Sequence, residues 1–186
     1  MVFKELSLSQ SQITPFQGFY SKDAQFFEFM EIPWESFLPV IFIPTIERVG
    51  HFTRLIESIQ AANLSEYVNV FIYIDGPRGP GDVDASGAIK NAILNLERLA
   101  SVTLIHGMEN MFRVSNRYLF SSLLNRFGGA IFLEDDNRLE PAFFEWILRA
   151  MRFAESDASV ACISTYTWPS FHSEPGPYPY LSPRFS

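Results

Sequence analysis

Short apolar runs that alternate with amphipathic segments are the feature that most restricts how this chain can fold. Five runs read as strands, and their continuous apolar character is typical of strands buried on both faces: residues 39–43, 68–74, 102–105, 130–133 and 159–164. The intervening segments place apolar residues at helical spacing over residues 51–62, 86–100, 112–127 and from about residue 141 onward. Strand and helix therefore alternate, which predicts an α/β domain with an open, mainly parallel sheet and helices on both faces.

The chain has 186 residues, which suits one compact domain with a substantial core. The strand pattern begins at residue 38, so we expect an N-terminal extension over residues 1–37 and one domain over residues 38–186. No stretch is long and apolar enough to span a bilayer, and residues 1–37 lack a signal-peptide pattern. We therefore expect a cytoplasmic protein, with attachment at the membrane periphery left open. The single cysteine, Cys162, lies in the fifth run and is expected to be a buried thiol.

The formal net charge of −7 argues against binding to duplex nucleic acid, which requires clustered lysine and arginine. A small phosphorylated ligand stays compatible with this charge if a divalent cation lies between protein carboxylates and phosphates. The sequence contains no G-x-G-x-x-G or P-loop motif and no G-x-S-x-G elbow. Ordinary dinucleotide-binding, P-loop and hydrolase functions are therefore disfavoured.

Polar residues follow the ends of three predicted strands. Thr45 follows the first strand, Asp75 the second, and Glu134, Asp135 and Asp136 the fourth. Because the carboxyl ends of parallel strands meet at one edge of a sheet, these residues are expected to converge there. In an extended segment Glu134 and Asp136 would project to one side and Asp135 to the other. Such carboxylates suit Mg²⁺ or Mn²⁺.

Each of these features also has a purely structural interpretation. The acidic trio could be a turn that caps the next helix, and Asp75 could be a plain turn residue before Gly76. Arg113, Asn116 and Arg117 share one helix face by spacing. That face could meet phosphates or a ribose, although spacing alone favours a solvated surface.

Residues 130–136, Ala-Ile-Phe-Leu-Glu-Asp-Asp, followed by Pro-Ala-Phe-Phe-Glu at 141–145, resemble the donor-site motif of GT-A fold glycosyltransferases. The likeness is to the N-acetylglucosaminyltransferase I type and to related bacterial sugar transferases. Residues 39–44, with Thr45 and Arg48 after them, look like the first strand and nucleotide loop of that fold. The resemblance covers roughly residues 38–186 and implies a Rossmann-like, nucleotide-diphospho-sugar transferase fold.

The resemblance also implies roles for individual residues. Asp136 would coordinate Mn²⁺ or Mg²⁺ directly, Asp135 and Glu134 would hold the ribose, the sugar or metal-bound waters, and Asp75 would contact the base, usually uracil. The nucleotide-sugar-binding set implied in this way is Thr45, Arg48, Asp75, Asn116, Arg117, Glu134 and Asp135.

The implied function is metal-dependent transfer of a sugar from a nucleotide-sugar donor, most simply a UDP-sugar, to a hydroxyl of a glycan, a lipid-linked molecule or another acceptor. One alternative is a nucleotide-sugar-binding module without turnover, and another is an unrelated doubly wound domain. The sugar, the acceptor and the oligomeric state are not defined by the sequence.

The C-terminal residues bear on the catalytic base. Residues 180–186, from Tyr180 to Ser186, look like the lead-in to a tryptophan-rich acceptor segment. The domain is therefore expected to be incomplete at its C-terminal end. In related enzymes the general base comes from that later part, so the resemblance implies a general base beyond Ser186 and identifies none within the sequence.

Overall fold

The computed structural model describes residues 2–8, 40–111, 113–155, 157, 159–160 and 162–165. Within them one sheet holds five strands, β1 (Val2–Leu8), β2 (Val40–Thr45), β3 (Asn69–Ile74), β4 (Ser101–Gly107) and β5 (Ala130–Phe132). The helices are α1 (Val49–Ala61), α2 (Pro80–Leu94), α3 (Arg113–Phe127) and α4 (Phe143–Glu155), and a short 3-10 turn spans Ser65–Tyr67. The strand order is β1-β4-β3-β2-β5 and every pair is parallel, which confirms the predicted α/β architecture.

Both faces of the sheet are covered, which explains why the central strands are apolar throughout. Ile41 and Ile43 of β2 pack in one core with apolar residues of α1, α2 and α4. Val40 and Phe42, which alternate with them, pack on the opposite face with Leu119 and other residues of α3. The sheet is therefore the middle layer of three.

The direction of the chain reverses within the sheet. From β2 through α1, β3 and α2 to β4 the strands advance in one direction, whereas α3 carries the chain from β4 back past β3 and β2 to β5. Right-handed crossovers in opposite directions place their helices on opposite faces. The chain thus leaves β3 toward one face and β4 toward the other, and ligands of open parallel sheets bind at the carboxyl edge near such a reversal.

The first strand lies where no regular element was expected. Val2–Leu8 pairs in parallel with β4, from Val2 opposite Ser101 to Leu8 opposite Gly107. Its polar residues Lys4, Glu5 and Ser7 are compatible with an edge position, and they interrupt any continuous apolar run. The residues 1–37 thus include one strand of the sheet, while residues 9–39 lie outside the described part of the chain.

Helix α2 begins earlier than the apolar spacing indicates, at Pro80 instead of residue 86. Proline is tolerated in a first helical turn. The Asp82 carboxylate accepts hydrogen bonds from the backbone N–H of Arg78 at 2.9 Å and from its Nε at 2.8 Å. The glycine- and proline-rich segment therefore runs directly into the helix.

Local contacts account for where α3 ends and where α4 begins. Helix α3 ends as predicted, because Gly128 adopts a φ of +72° and its N–H donates to the Leu124 carbonyl at 2.9 Å. Helix α4 begins at Phe143, two residues after the expected Pro141, and residues 141–142 form a turn. The backbone N–H of Asn63 donates to the Pro141 carbonyl at 2.9 Å, which holds this turn against the end of α1.

The expected fifth strand, residues 159–164, is wrong for every residue of that run that the structure describes. Asp157 Oδ1 accepts hydrogen bonds from the Ser159 N–H at 2.9 Å and the Ser159 hydroxyl at 2.6 Å. This local turn competes with an extended backbone. Cys162 is exposed, so the expectation of a buried thiol is also wrong.

The C-terminal segment 180–186, expected to lead into an acceptor region, lies outside the described residues, and Ser186 lies there with it. The expectation of a general base beyond Ser186 therefore stays a prediction.

Across the described ranges, no helix has the combined length and apolar character needed to cross a membrane.

Candidate functional site

The acidic loop, residues 134–137, leaves the sheet immediately after β5. The Leu133 N–H donates to the Phe42 carbonyl at 3.0 Å, so the loop starts beside β2. Asn137 closes the loop, because its N–H donates to the Glu134 carbonyl at 3.0 Å and its Oδ1 accepts from the Glu134 N–H at 2.8 Å. In this turn Asp135 is buried, whereas Glu134 and Asp136 are exposed.

Asp135 is the buried anchor of the loop, with 3% of its surface accessible. Its Oδ2 accepts a hydrogen bond from the Thr45 hydroxyl at 2.9 Å, and Thr45 is the last residue of β2. Its Oδ1 forms an ion pair with the Arg48 guanidinium. A buried carboxylate is costly unless it is paired and hydrogen-bonded, so these two partners keep Asp135 inside the protein.

Arg48 bridges the two aspartates from the loop that follows β2. Its Nη1 donates to Asp136 Oδ2 at 2.8 Å while Nη2 contacts Asp135. Desolvation lowers the pKa of Arg48, but Asp135 and Asp136 together outweigh it and the net shift is upward. The guanidinium therefore stays charged and offsets part of the negative charge of the acidic loop.

Whether a metal ion fits this site depends on its donor atoms. Carboxylate oxygens are ligands that Mg²⁺ and Mn²⁺ favour. Among the residues that the structure describes, however, no group of three or more His, Cys, Asp or Glu side chains is arranged to hold an ion. An ion on Asp136 would have to complete its coordination with water and phosphate oxygens, as Mg²⁺ commonly does. The described residues thus offer the exposed carboxylate of Asp136 but no preformed metal site.

Asp75 ties the end of β3 to the loop after β4. Its Oδ1 accepts hydrogen bonds from the Tyr73 hydroxyl at 2.7 Å, the Gly76 N–H at 2.9 Å and the Met111 N–H at 3.1 Å. Its Oδ2 accepts one from Asn110 Nδ2 at 3.0 Å. Asp75 is therefore more than a plain turn residue, because it joins the loop after β3 to the loop after β4.

Tyr73 is the buried donor beneath Asp75. Burial raises the pKa of its hydroxyl, a hydrogen bond with Ser115 opposes that shift, and Asp75 adds to it. The phenol therefore remains protonated and keeps donating to Asp75. Ser115 lies in the first turn of α3, so the Tyr73 hydroxyl links the sheet, the Asp75 carboxylate and α3.

Two glycines allow the loops after β3 and β4 to touch through their backbones. A Cβ on Gly76 would lie 2.1 Å from the carbonyl carbon of Glu109. A Cβ on Gly107 would lie 2.7 Å from both the Gly76 nitrogen and the Tyr73 hydroxyl oxygen. Only glycine fits either position without displacing backbone, and this close approach brings Asn110 and Met111 within reach of Asp75.

The first turns of α3 reach the same edge of the sheet. Arg113 and Arg117 are exposed there, and Asn116 is half-buried. The Oδ1 atom of Asn116 is buried and, within the described residues, accepts no hydrogen bond. The structure records no hydrogen bond or ion pair between the acidic loop and Asn116 or Arg117, so their expected pocket-lining roles stay predictions.

A second charged cluster joins the loop after β2 to the start of α2. The Arg78 guanidinium pairs with Glu47 and Asp82, and hydrogen bonds from Arg78 hold the pKa of Asp82 below its ordinary range. An open surface cavity of about 550 Å³ lies beside this cluster. Its lining contains no residue of the acidic loop and consists of Pro77, Arg78, Gly79, Pro80, Val83 and Asp84. The cavity thus shares Arg78 with this second cluster and no lining residue with the acidic loop.

Three contributors were missed by reasoning from the sequence. Asn137 closes the acidic loop, and its position three residues after Glu134 is a recognisable turn signal. Asn110 follows Gly107 after a strand, which gives a weaker signal of the same kind. Tyr73 carries no signal, because an aromatic residue in a buried strand is most simply read as core packing.

Neither the protein-family models nor the curated proteins give a match to this chain. Among solved structures, the chain is similar to S. aureus TarS 1–349, a glycosyltransferase, with 12% identity and a TM-score of 0.45, over 62% of this chain and 32% of that one. A further structure of S. aureus TarS shares 12% identity with a TM-score of 0.43, over 62% of this chain and 20% of that one. The chain thus spans about a third of one of these TarS structures and a fifth of the other.

Proposed function

We propose that this chain is the donor-binding part of a metal-dependent glycosyltransferase that binds a nucleotide sugar, most simply a UDP-sugar. The observation that carries the proposal is the convergence of Thr45, Arg48, Asp135 and Asp136 at the carboxyl ends of β2 and β5. Asp75 stands at the end of β3 on the same edge. A guanidinium and exposed carboxylates at that edge suit a diphosphate that shares a divalent cation with the protein.

The proposed roles follow from exposure and reach. Asp136 is exposed and is assigned as the ligand of Mn²⁺ or Mg²⁺, a cation that would stabilise the departing diphosphate. Asp135 positions Arg48 and Thr45 beside the nucleotide, and Asp75 is assigned to the base through Oδ2, the oxygen turned toward exposed Asn110. Further contacts to the ribose, sugar and phosphates are assigned to Glu134, Asn116 and Arg117.

The proposed reaction is a displacement at the anomeric carbon of the donor sugar. The oxygen of an acceptor hydroxyl, on a glycan, a lipid-linked molecule or another acceptor, bonds to that carbon as its bond to the diphosphate oxygen breaks. The hydroxyl proton passes to a general base, which we assign to no residue that the structure describes. Likeness to the N-acetylglucosaminyltransferase I type makes an N-acetylhexosamine or a hexose the proposed sugar.

We also propose a cytoplasmic location for the protein, and attachment at the membrane periphery is left open.

Calorimetric titration of UDP into the protein, with and without Mn²⁺, tests the proposal. We expect binding that depends on Mn²⁺ and that Asp136→Asn weakens by about tenfold or more, since a lost ligand removes more than about 1.4 kcal/mol. Glu57→Gln is the matched control, because Glu57 is an exposed acid in the second half of α1. UDP affinity that is the same with and without Mn²⁺ would overturn the proposal, and so would an equal loss of UDP affinity in Asp136→Asn and Glu57→Gln.

Binding without turnover is the second candidate function. The described residues favour this candidate, because Asp135 and Asp136 both contact Arg48 and no described residue is assigned as the general base. The two candidates separate in an assay for hydrolysis or transfer of a UDP-sugar by the chain. Release of UDP above the level in Asp136→Asn supports the enzyme, whereas tight Mn²⁺-dependent binding with no release supports the binding module.

A further inference from the structure

The Arg48 guanidinium contacts the carboxylate oxygens of the acidic loop that the proposed divalent cation would use. Its guanidinium contacts Asp135 Oδ1 and Asp136 Oδ2, and the remaining Asp135 oxygen is taken by Thr45. Nearly half of the Arg48 side chain is exposed, at 47%, whereas that of Asp135 is 3% exposed. The guanidinium therefore has open solvent beside it, while the carboxylate that it neutralises does not.

A divalent cation on Asp136 would compete with Arg48 for the same oxygen. Two cationic groups at one carboxylate repel each other, so an ion can bind well only if the guanidinium moves or finds other anionic partners. The acidic loop and its described surroundings form no site with three or more acidic, histidine or cysteine ligands. A diphosphate supplies what both cations lack, because its oxygens can coordinate the ion and accept hydrogen bonds from a guanidinium.

We infer that Arg48 holds the place of the divalent cation in the ligand-free protein and so makes cation binding conditional on the nucleotide. The inference rests on the proposed function and adds an order of events to it. Alone, the ion meets two carboxylates whose charge Arg48 already offsets in part and whose facing oxygens it occupies, so the ion binds weakly. With a nucleoside diphosphate present, Arg48 would donate to the phosphates in place of Asp136, and Asp136 would then be able to hold the ion together with phosphate oxygens.

Titration of Mn²⁺ alone, with free Mn²⁺ measured by electron paramagnetic resonance, tests this role without any assay of activity. We expect Arg48→Gln to bind Mn²⁺ alone about tenfold more tightly than the unmodified chain, the effect of removing one competing charge at a partly exposed site. Arg54→Gln is the control, because it removes the same charge from an exposed position of α1. Equal Mn²⁺ affinity in Arg48→Gln and the unmodified chain would overturn the inference.

Circular dichroism shows whether Arg48→Gln folds. If it does not fold, Arg48→Lys is the second variant that tests the inference. Lysine keeps the positive charge but is a single point donor and bridges two carboxylates poorly. We expect its affinity for Mn²⁺ alone to fall between those of the unmodified chain and Arg48→Gln, and affinity no higher than that of the unmodified chain contradicts the inference.

The two proposals fail in different ways. If UDP never improves Mn²⁺ binding to the unmodified chain, the nucleotide function is wrong, even where Arg48→Gln gains affinity for Mn²⁺ alone. If UDP improves Mn²⁺ binding in the unmodified chain and in Arg48→Gln by the same factor, the nucleotide function stands. The conditional role of Arg48 is then wrong.

Discussion

The Thr45 hydroxyl donates a 2.9 Å hydrogen bond to Asp135 across 90 residues of sequence, and so connects the end of β2 to the acidic loop. Both side chains are buried, and Arg48 covers the other oxygen of Asp135. The position of the exposed Asp136 next to it therefore depends on a contact that lies beneath the surface.

Replacement of Thr45 by valine keeps the shape of the side chain and removes this donor. We expect Thr45→Val to lower the free energy of unfolding by about 1–3 kcal/mol, because it leaves a buried carboxylate oxygen without its partner. Urea denaturation measures the loss. Thr53→Val is the control, since the Thr53 hydroxyl donates only to the Val49 carbonyl within α1. Equal losses in the two variants would mean that Asp135 does not depend on Thr45.

Alanine at Gly107 should disrupt the contact between the loops after β3 and β4. Its Cβ would lie 2.7 Å from the Gly76 nitrogen and the Tyr73 hydroxyl oxygen. We expect Gly107→Ala to cost about 3 kcal/mol, the usual scale for overpacking against fixed atoms. Gly87→Ala is expected to do the reverse and stabilise by about 0.5–1 kcal/mol, because Gly87 lies in α2 with nothing within 4 Å of an added Cβ. Thermal unfolding checks the prediction: the midpoint temperature should fall in Gly107→Ala and rise in Gly87→Ala.

His106 should make the fold less stable in mild acid. Burial lowers the pKa of His106, Glu5 opposes this shift and Lys90 reinforces it. A folded-state pKa below the unfolded value of about 6.5 means that the unfolded chain takes up the proton first. Stability is therefore lost as the pH falls through the unfolded pKa toward the folded one, and is unaffected by this group at higher pH.

Urea denaturation at pH values of about 7.5 and 5.5, on either side of the ordinary histidine pKa, measures that effect. His106→Gln should lose less stability between the two pH values than the unmodified chain. His51→Gln should behave like the unmodified chain, because His51 is exposed at the start of α1. A steeper acid loss in His106→Gln would show that the Glu5 contact dominates over burial.

The pKa of Asp82 also links stability to pH, through a carboxylate whose charged form the folded state favours. Hydrogen bonds from Arg78 hold its pKa below the ordinary range, so its stabilising effect is present above an unfolded pKa of about 3.9 and is lost as the pH falls toward the folded value. Asp82→Asn should therefore be less stable than the unmodified chain at a pH of about 6, with the difference shrinking at about pH 3. Asp84→Asn, at an exposed position of α2, is the control. A difference that does not change with pH would point to packing instead of charge.

The central sheet was predictable because burial on both faces leaves a continuous apolar run, as in β3. The same rule misses β1, whose polar residues are tolerated at an edge, and it wrongly predicts a strand over residues 159–164, where the Asp157 turn prevails. The apolar spacing also missed the first turn of α2, where Asp82 accepts a hydrogen bond from the Arg78 N–H.

The site was predictable in part, because the ends of parallel strands must share one edge. The strand pattern located Asp75 and the acidic loop, but it could not show that Arg48 bridges Asp135 and Asp136, since that contact depends on the path of two loops 88 residues apart. Asn110 was missed for the same reason: its bond to Asp75 depends on the close approach of two loop backbones that Gly76 and Gly107 permit.

The acidic loop follows the shortest strand of the sheet. β5 pairs with β2 over only Ala130, Ile131 and Phe132, whereas β3 pairs with β4 from Asn69 to Ile74. Short ladders open at lower free energy than the core of a sheet, so the amides around β5 should exchange with deuterium well before those of β3. A ligand bound to this loop would slow that exchange first, and the amides of β5 would then report occupancy of the site.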